Sequence, residues 1–331
     1  MRVESPGFVD IQVNGFAGVD FNTPGLSVDD IRGVLPAIRA TGVTRFLPTL
    51  ITAPLGRFAD CARVLCAVDD PAIAGFHMEG PYISSVDGPR GAHPRAYCRA
   101  ASVDDFARRQ DAADGRIILV TLAPEVPGAL PLIDHLISQG IRVAIGHSDA
   151  PSELIRSAVH EGATLSTHLG NGCAAVLPRH PNVIWEQLAS DGLWVSVIVD
   201  GHHLPPSVVK VITRVKSPQR TILITDAMAA AGCAPGTYRI GDLDVDVGQD
   251  RRVSLRGTPL LAGSALTLDE AIGKTVRFTG LPLEEVLQMA TTVPAAYLGI
   301  PTAGTATADW DPDASRLTIV TVTETPYGRM Q

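Results

Sequence analysis

Short β-branched and apolar runs alternate along the chain with longer stretches of helical periodicity, and the runs end in polar residues. Eight runs read as strands: 7–13, 43–47, 72–76, 117–122, 142–145, 163–166, 194–199 and 221–224. Between them, residues 29–40, 55–68, 130–138, 152–160, 206–215 and 266–278 repeat apolar side chains at the spacing of an amphipathic helix. Ser27 stands three residues before Asp30 and Ser102 three before Asp105, which is capping-box spacing, and Pro151 occupies a first-turn position. Strands that are apolar almost throughout, and that alternate with helices, belong to a parallel sheet buried on both faces. Eight such units suit an α/β chain folded as a (β/α)8 TIM-type barrel, which typically takes about 250 residues. The open doubly wound alternative usually announces itself with a G-x-G-x-x-G turn, and none occurs.

Two segments fit no barrel unit. Residues 237–261 read as a β-hairpin inserted after the eighth strand, and 317–324 as a lone strand after the last helix. The expected organisation is therefore a barrel over residues 6–300 and a C-terminal tail over 301–331.

Composition narrows the function. The 331 residues carry 27 basic and 35 acidic side chains, a formal charge of −8, which counts against nucleic acid or an anionic membrane surface as partner. No apolar run reaches the roughly 18 residues of a membrane span, and the first residues lack the apolar core of a signal peptide. Five cysteines, an odd number without a Cys-x-x-Cys pair, argue against a disulfide scaffold or a four-thiolate zinc knuckle. A cytoplasmic protein is expected.

The polar residues at the strand ends carry the chemistry. Gln12 and Asn14 end the first strand, and His77 and Glu79 the third. His147 follows the fifth, His168 the sixth, His202 and His203 the seventh, and Asp226 the eighth. Any one histidine at a strand end is commonly structural, and any one aspartate there commonly caps a helix. Five of the nine histidines gather at the same end of one barrel, however, where this fold places its active sites. A glutamate, two or more histidines and an aspartate form a divalent-metal set of nitrogen and oxygen donors.

The motifs Pro6-Gly-Phe-Val-Asp-Ile-Gln-Val-Asn-Gly15, His77-Met-Glu-Gly-Pro-Tyr82, Gly91-Ala-His-Pro94, Gly146-His-Ser-Asp-Ala150, Thr167-His-Leu-Gly-Asn-Gly172, Asp200-Gly-His-His203, Thr225-Asp-Ala227, 261–267 and 289–295 occur in this order. In these the chain resembles the N-acetylglucosamine-6-phosphate deacetylase family of the amidohydrolase superfamily. The resemblance implies hydrolysis of the acetamide of N-acetylglucosamine 6-phosphate, with Glu79, His147 and His168 as metal ligands and Asp226 as general base and acid. It also implies that His93 contacts the acetamide carbonyl with Gln12 nearby, while Asn171, Gly172, Arg179 and His203 bind hydroxyl and phosphate groups. Arg179 of relatives reaches the neighbouring subunit's site, which implies a homodimer.

Gln12-Val13-Asn14 stands where many superfamily members carry His-x-His, and residues 117–122 contain no lysine to bridge two metals. One divalent ion per chain follows, with zinc the first choice and iron(II) also compatible. Relatives also carry a small β domain built from residues before the first barrel strand and from the tail, which here is expected to be reduced or missing. Two other functions compete: deacetylation of a different N-acetylated metabolite, suggested by Gly170 and Cys173 beside Asn171, and a non-catalytic sugar-phosphate sensor. A sensor would have no need of Asp226.

Overall fold

A computed structural model describes residues 1–240 and 243–324. Eight parallel strands form one sheet: Phe8–Val13, Val43–Ile51, Phe76–Glu79, Ile117–Leu122, Arg142–Ile145, Leu165–Ser166, Trp194–Ile198 and Thr221–Ile224. Each pairs with its neighbour in sequence order, and the first meets the eighth through a parallel bridge between Val13 and Ala227. The Asp226 N–H donates to the Gln12 carbonyl at 3.0 Å across that seam. The expected (β/α)8 barrel is therefore present and nearly closed. Its strands are apolar and buried because helices cover their outer faces while side chains fill the interior.

Several boundaries differ from the sequence reading. The third strand begins at Phe76 rather than at residue 72, because Ala72–Gly75 touches its neighbour only through the Phe46–Ile73 bridge. The second strand continues to Ile51, through Pro48. The inserted segment is a three-stranded antiparallel meander (Gly236–Ile240, Leu243–Val247, Val253–Leu255) rather than a hairpin. Its buried Val245, Val247 and Val253 pack with Met228, Ala229 and Ala262 beside the eighth strand's loop.

The tail strand is not alone. Arg316–Thr323 pairs antiparallel with Thr305–Asp311, and that strand pairs on its other side with Arg2–Pro6. A small three-stranded β sheet is thus present beside the barrel. Two of these strands carry little sequence signal, because 2–6 is short and 305–311 alternates small residues, Ala306 and Ala308 facing inward with Trp310. Residues 325–331 of the expected tail lie outside the described residues. Among the described residues no helix is long and apolar enough to cross a membrane.

Candidate active site

The C-terminal ends of the strands open into one pocket with an empty volume of about 960 Å³. Glu79, His93, His147, His168, Asn171, Gly172, His203 and Asp226 all line it, so eight of the ten expected site residues converge there. Gln12 lies just beneath, fully buried, and joins the cluster through its amide. Arg179 does not line the pocket: it is exposed on the loop after the sixth strand.

Glu79 Oε1 sits 3.1 Å from His147 Nε2 and 3.1 Å from His168 Nε2, and the two ring nitrogens are 3.1 Å apart. Three ligand atoms of these residues lie within 4.8 Å of one another. The His147 ring is oriented by its Nδ1, 3.0 Å from the Pro89 carbonyl. A carbonyl can only accept, so Nδ1 carries the proton and the Nε2 lone pair points at the cluster. Two imidazole nitrogens cannot turn lone pairs toward each other at 3.1 Å unless a cation or a proton stands between them. The donor set and its convergence fit a divalent metal. Burial disfavours charge on Glu79, but its contacts with His147 and His168 outweigh it and hold the carboxyl well below the usual range. His147, His168 and Asp226 all have positive φ (52°, 31° and 50°), a backbone state uncommon for such residues that turns each side chain into the pocket from a strand end.

Asp226 is the second buried carboxylate. Gln12 Nε2 and Asn14 Nδ2 both donate to its Oδ1, at 3.1 and 2.7 Å, and the same Gln12 nitrogen donates to Glu79 Oε1 at 2.9 Å. Burial and then the nearby Glu79 charge push the Asp226 pKa up to about 6. His93 stands on the other side, its Nε2 3.8 Å from Glu79 Oε2. The Thr52 N–H donates to His93 Nδ1 at 3.4 Å and Thr52 Oγ1 lies 2.9 Å from it, so the ring's proton sits on Nε2 and faces the pocket. Burial, reinforced by His147, depresses the His93 pKa to about 3 and keeps the ring neutral. His203 Nδ1 donates to Asp200 Oδ2 at 2.6 Å. Burial opposes charge on Asp200, but its bonds to His203 win and hold it down to about 2.

Three contributors had weak sequence signals. Thr52 and Pro89 act through atoms common to any threonine or peptide. The apolar wall of Leu243, Leu260, Leu261 and Ala262 comes from the inserted segment, whose strand pattern says nothing of where it docks.

The amidohydrolase family model matches residues 4–325. The chain belongs to the amidohydrolase family. This amidohydrolase is 35% identical over 300 residues to the N-acetylglucosamine-6-phosphate deacetylase of Vibrio furnissii, covering 89% of this chain and 73% of that protein. It is 34% identical to the N-acetylgalactosamine-6-phosphate deacetylase of Escherichia coli O157:H7, over 89% of this chain and 78% of that one. A mutant N-acetyl-D-glucosamine-6-phosphate deacetylase from Mycobacterium smegmatis, solved with N-acetyl-D-glucosamine-6-phosphate, superposes with a TM-score of 0.90 at 32% identity, covering 98% of this chain and 86% of that one. The amidohydrolase is accordingly an amide hydrolase in the group of N-acetylglucosamine-6-phosphate deacetylases.

Proposed function

We propose that the enzyme hydrolyses the acetamide of N-acetylglucosamine 6-phosphate to glucosamine 6-phosphate and acetate. The observation that carries this reading is the meeting of Glu79, His147 and His168 with Asp226 and a neutral His93 in one pocket, in a chain whose relatives bear that activity in their names. Glu79, His147 and His168 would hold one divalent ion, zinc being the first candidate. When bound, such an ion supplies Lewis acidity and lowers the pKa of water from about 15.7 to about 7.

The chain's own groups do the rest. Gln12 and Asn14 both occupy Asp226 Oδ1, which leaves Oδ2 to take a proton from the attacking water and return it to the departing amine. Burial raises the Asp226 pKa toward neutral, and a carboxyl so placed can both accept and release a proton. The return step matters because an amide nitrogen departs only as a protonated amine. His93 donates from Nε2 to the acetamide oxygen as negative charge develops there; a donor of this kind contributes about 2.7–4 kcal/mol. His203, braced by Asp200, and Asn171 and Gly172 would hold the sugar and its phosphate. The exposed Arg179 fits a role in a partner subunit's pocket, where a guanidinium grips phosphate through two parallel bonds. The homodimer this requires is supported by exposed Trp185 and by exposed Val208, Val211 and Val215 on the neighbouring helix Pro206–Lys216. Five free thiols suit a reducing compartment, which supports a cytoplasmic enzyme.

The near-equal similarity to an N-acetylgalactosamine-6-phosphate deacetylase favours one second reading, the epimeric sugar phosphate as substrate. Free-amine release from N-acetylglucosamine and N-acetylgalactosamine, each with and without the 6-phosphate, decides between them. The proposal expects the highest kcat/KM on N-acetylglucosamine 6-phosphate and loss of turnover on chelation. Preference for the galactosamine compound, or equal turnover without phosphate, would overturn it.

A further inference from the structure

The barrel interior just below the ligand cluster is polar. Barrels of this type normally fill their interior layers with Val, Ile and Leu. Here the level under Glu79 and His168 holds Thr49, His77, Thr121 and Thr167, from the second, third and fourth strands and the end of the sixth, none more than 3% exposed. His77 Nε2 lies 2.8 Å from Thr121 Oγ1, which lies 2.7 Å from Thr167 Oγ1. On its other side His77 Nδ1 faces Thr49 Oγ1 at 3.4 Å, and Thr49 Oγ1 accepts the Val13 N–H at 3.1 Å. The chain of bonds therefore runs across the barrel, from the strand that carries Gln12 to the residue that precedes His168.

The fifth strand lies between Thr121 and Thr167, and at that level it supplies Gly146. A Cβ there would stand 2.7 Å from Thr121 Cγ2 and 2.9 Å from Thr167 Cβ. Absence of a side chain is what allows the hydroxyls of the fourth and sixth strands to meet.

We infer that this polar layer, centred on His77 and Thr121, positions the metal ligands. His77 and Glu79 alternate onto the same face of one strand, and Thr167 is bonded to His168, so fixing the layer fixes the origin of two ligands. An apolar layer of the same volume would pack equally well, but it would lack directional bonds. Buried polar groups must be paired or they cost stability, so such a layer gives the fold nothing that Val and Leu would not. A ligand cluster does gain from it, because ligands bind metal tightly only when their orientation is held by further hydrogen bonds.

The test compares Thr121→Val, which keeps shape and deletes the central hydroxyl, with Thr121→Ser, which keeps the hydroxyl. Zinc affinity is measured on the folded proteins by chelator competition, alongside kcat and KM. Thr121→Val should bind zinc about tenfold to a hundredfold more weakly, with KM unchanged at saturating zinc, and Thr121→Ser should stay within about threefold of the unmutated enzyme. If Thr121→Val does not fold, His77→Gln is judged by the same thresholds. Zinc affinity retained within threefold by Thr121→Val, or lost as much by Thr121→Ser, would overturn the inference. It rests on the metal reading above, and the two fail differently. An unmutated enzyme that binds no zinc sinks that reading, whereas tight binding by both it and Thr121→Val sinks the inference alone.

Discussion

Asp226 and Asp10 are two carboxyls buried at the same barrel seam, and they have opposite consequences. Asp226→Asn keeps the side chain's shape and its bonds from Gln12 and Asn14 to the oxygen, but it cannot carry a proton. Its kcat should fall by about 10²-fold or more while bound metal, read by elemental analysis, stays at the unmutated level. Asp10 does not line the active-site pocket. It accepts the Gln12 and Thr225 backbone N–H groups and the Thr225 hydroxyl, at 3.2, 3.3 and 2.6 Å. Burial raises its pKa to about 7. A carboxyl whose folded pKa lies above its unfolded value contributes stability below the unfolded value, and that contribution is lost as pH rises through the folded one. Asp10→Asn imitates the protonated form, since its amide can donate to Thr225 Oγ1 and that hydroxyl can turn to the Gln12 carbonyl. Relative to the unmutated protein, Asp10→Asn should therefore gain stability steadily between about pH 4 and pH 7. Urea denaturation at several pH values checks this, and a difference independent of pH would contradict it.

The helices show what a sequence makes legible and what it hides. At Ser27 both halves of the capping box form, as the spacing implies. At Ser102 only one half forms: its hydroxyl accepts the Asp105 N–H at 3.3 Å. The Asp105 carboxylate instead accepts from Tyr82 at 2.8 Å, Arg99 at 3.0 Å and the fully buried Arg109 at 2.9 Å. Local spacing announces a cap, but it cannot announce that a residue is claimed by three other side chains. Ser102→Ala should cost about 1 kcal/mol of stability. Asp105→Ala should cost about 3–5 kcal/mol, since it strands the Arg109 guanidinium in the interior; thermal melts of the two variants would rank them. The same contrast runs through the site. The convergence of Glu79, His147, His168, His203 and Asp226 was legible because strand ends meet wherever eight βα units close. Thr52, Pro89 and the Leu260–Ala262 wall were hidden because their roles arise from contacts between segments with no pattern of their own. The Arg2–Pro6 and Thr305–Asp311 strands carry little signal of their own, the first because it is short and half exposed and the second because it alternates small residues.

For the whole molecule, the exposed Trp185 and the valines of Pro206–Lys216 belong to neighbouring helices on a protein of net charge −8. If that face joins two copies, Trp185→Glu should shift the protein from dimer to monomer in sedimentation velocity, and should lower kcat/KM on the phosphorylated sugar by removing the partner's Arg179. A dimer unmoved by this change would send the search for the interface elsewhere.

The three-stranded sheet has a consequence of timing. Arg2 is paired with Asp309, through the backbone and through an ion pair at 2.8 Å, across a separation of 307 residues. On the ribosome, at about 5–20 residues per second, the Arg2–Pro6 strand must wait many seconds for its partner. During that wait its backbone edge is unpaired and free to find the wrong neighbour. The barrel has nearly all of its strands in hand long before this sheet can close. Closure of the small sheet is thus a late event in the birth of each molecule, and a stalled or truncated chain would be left with a formed barrel and an open edge.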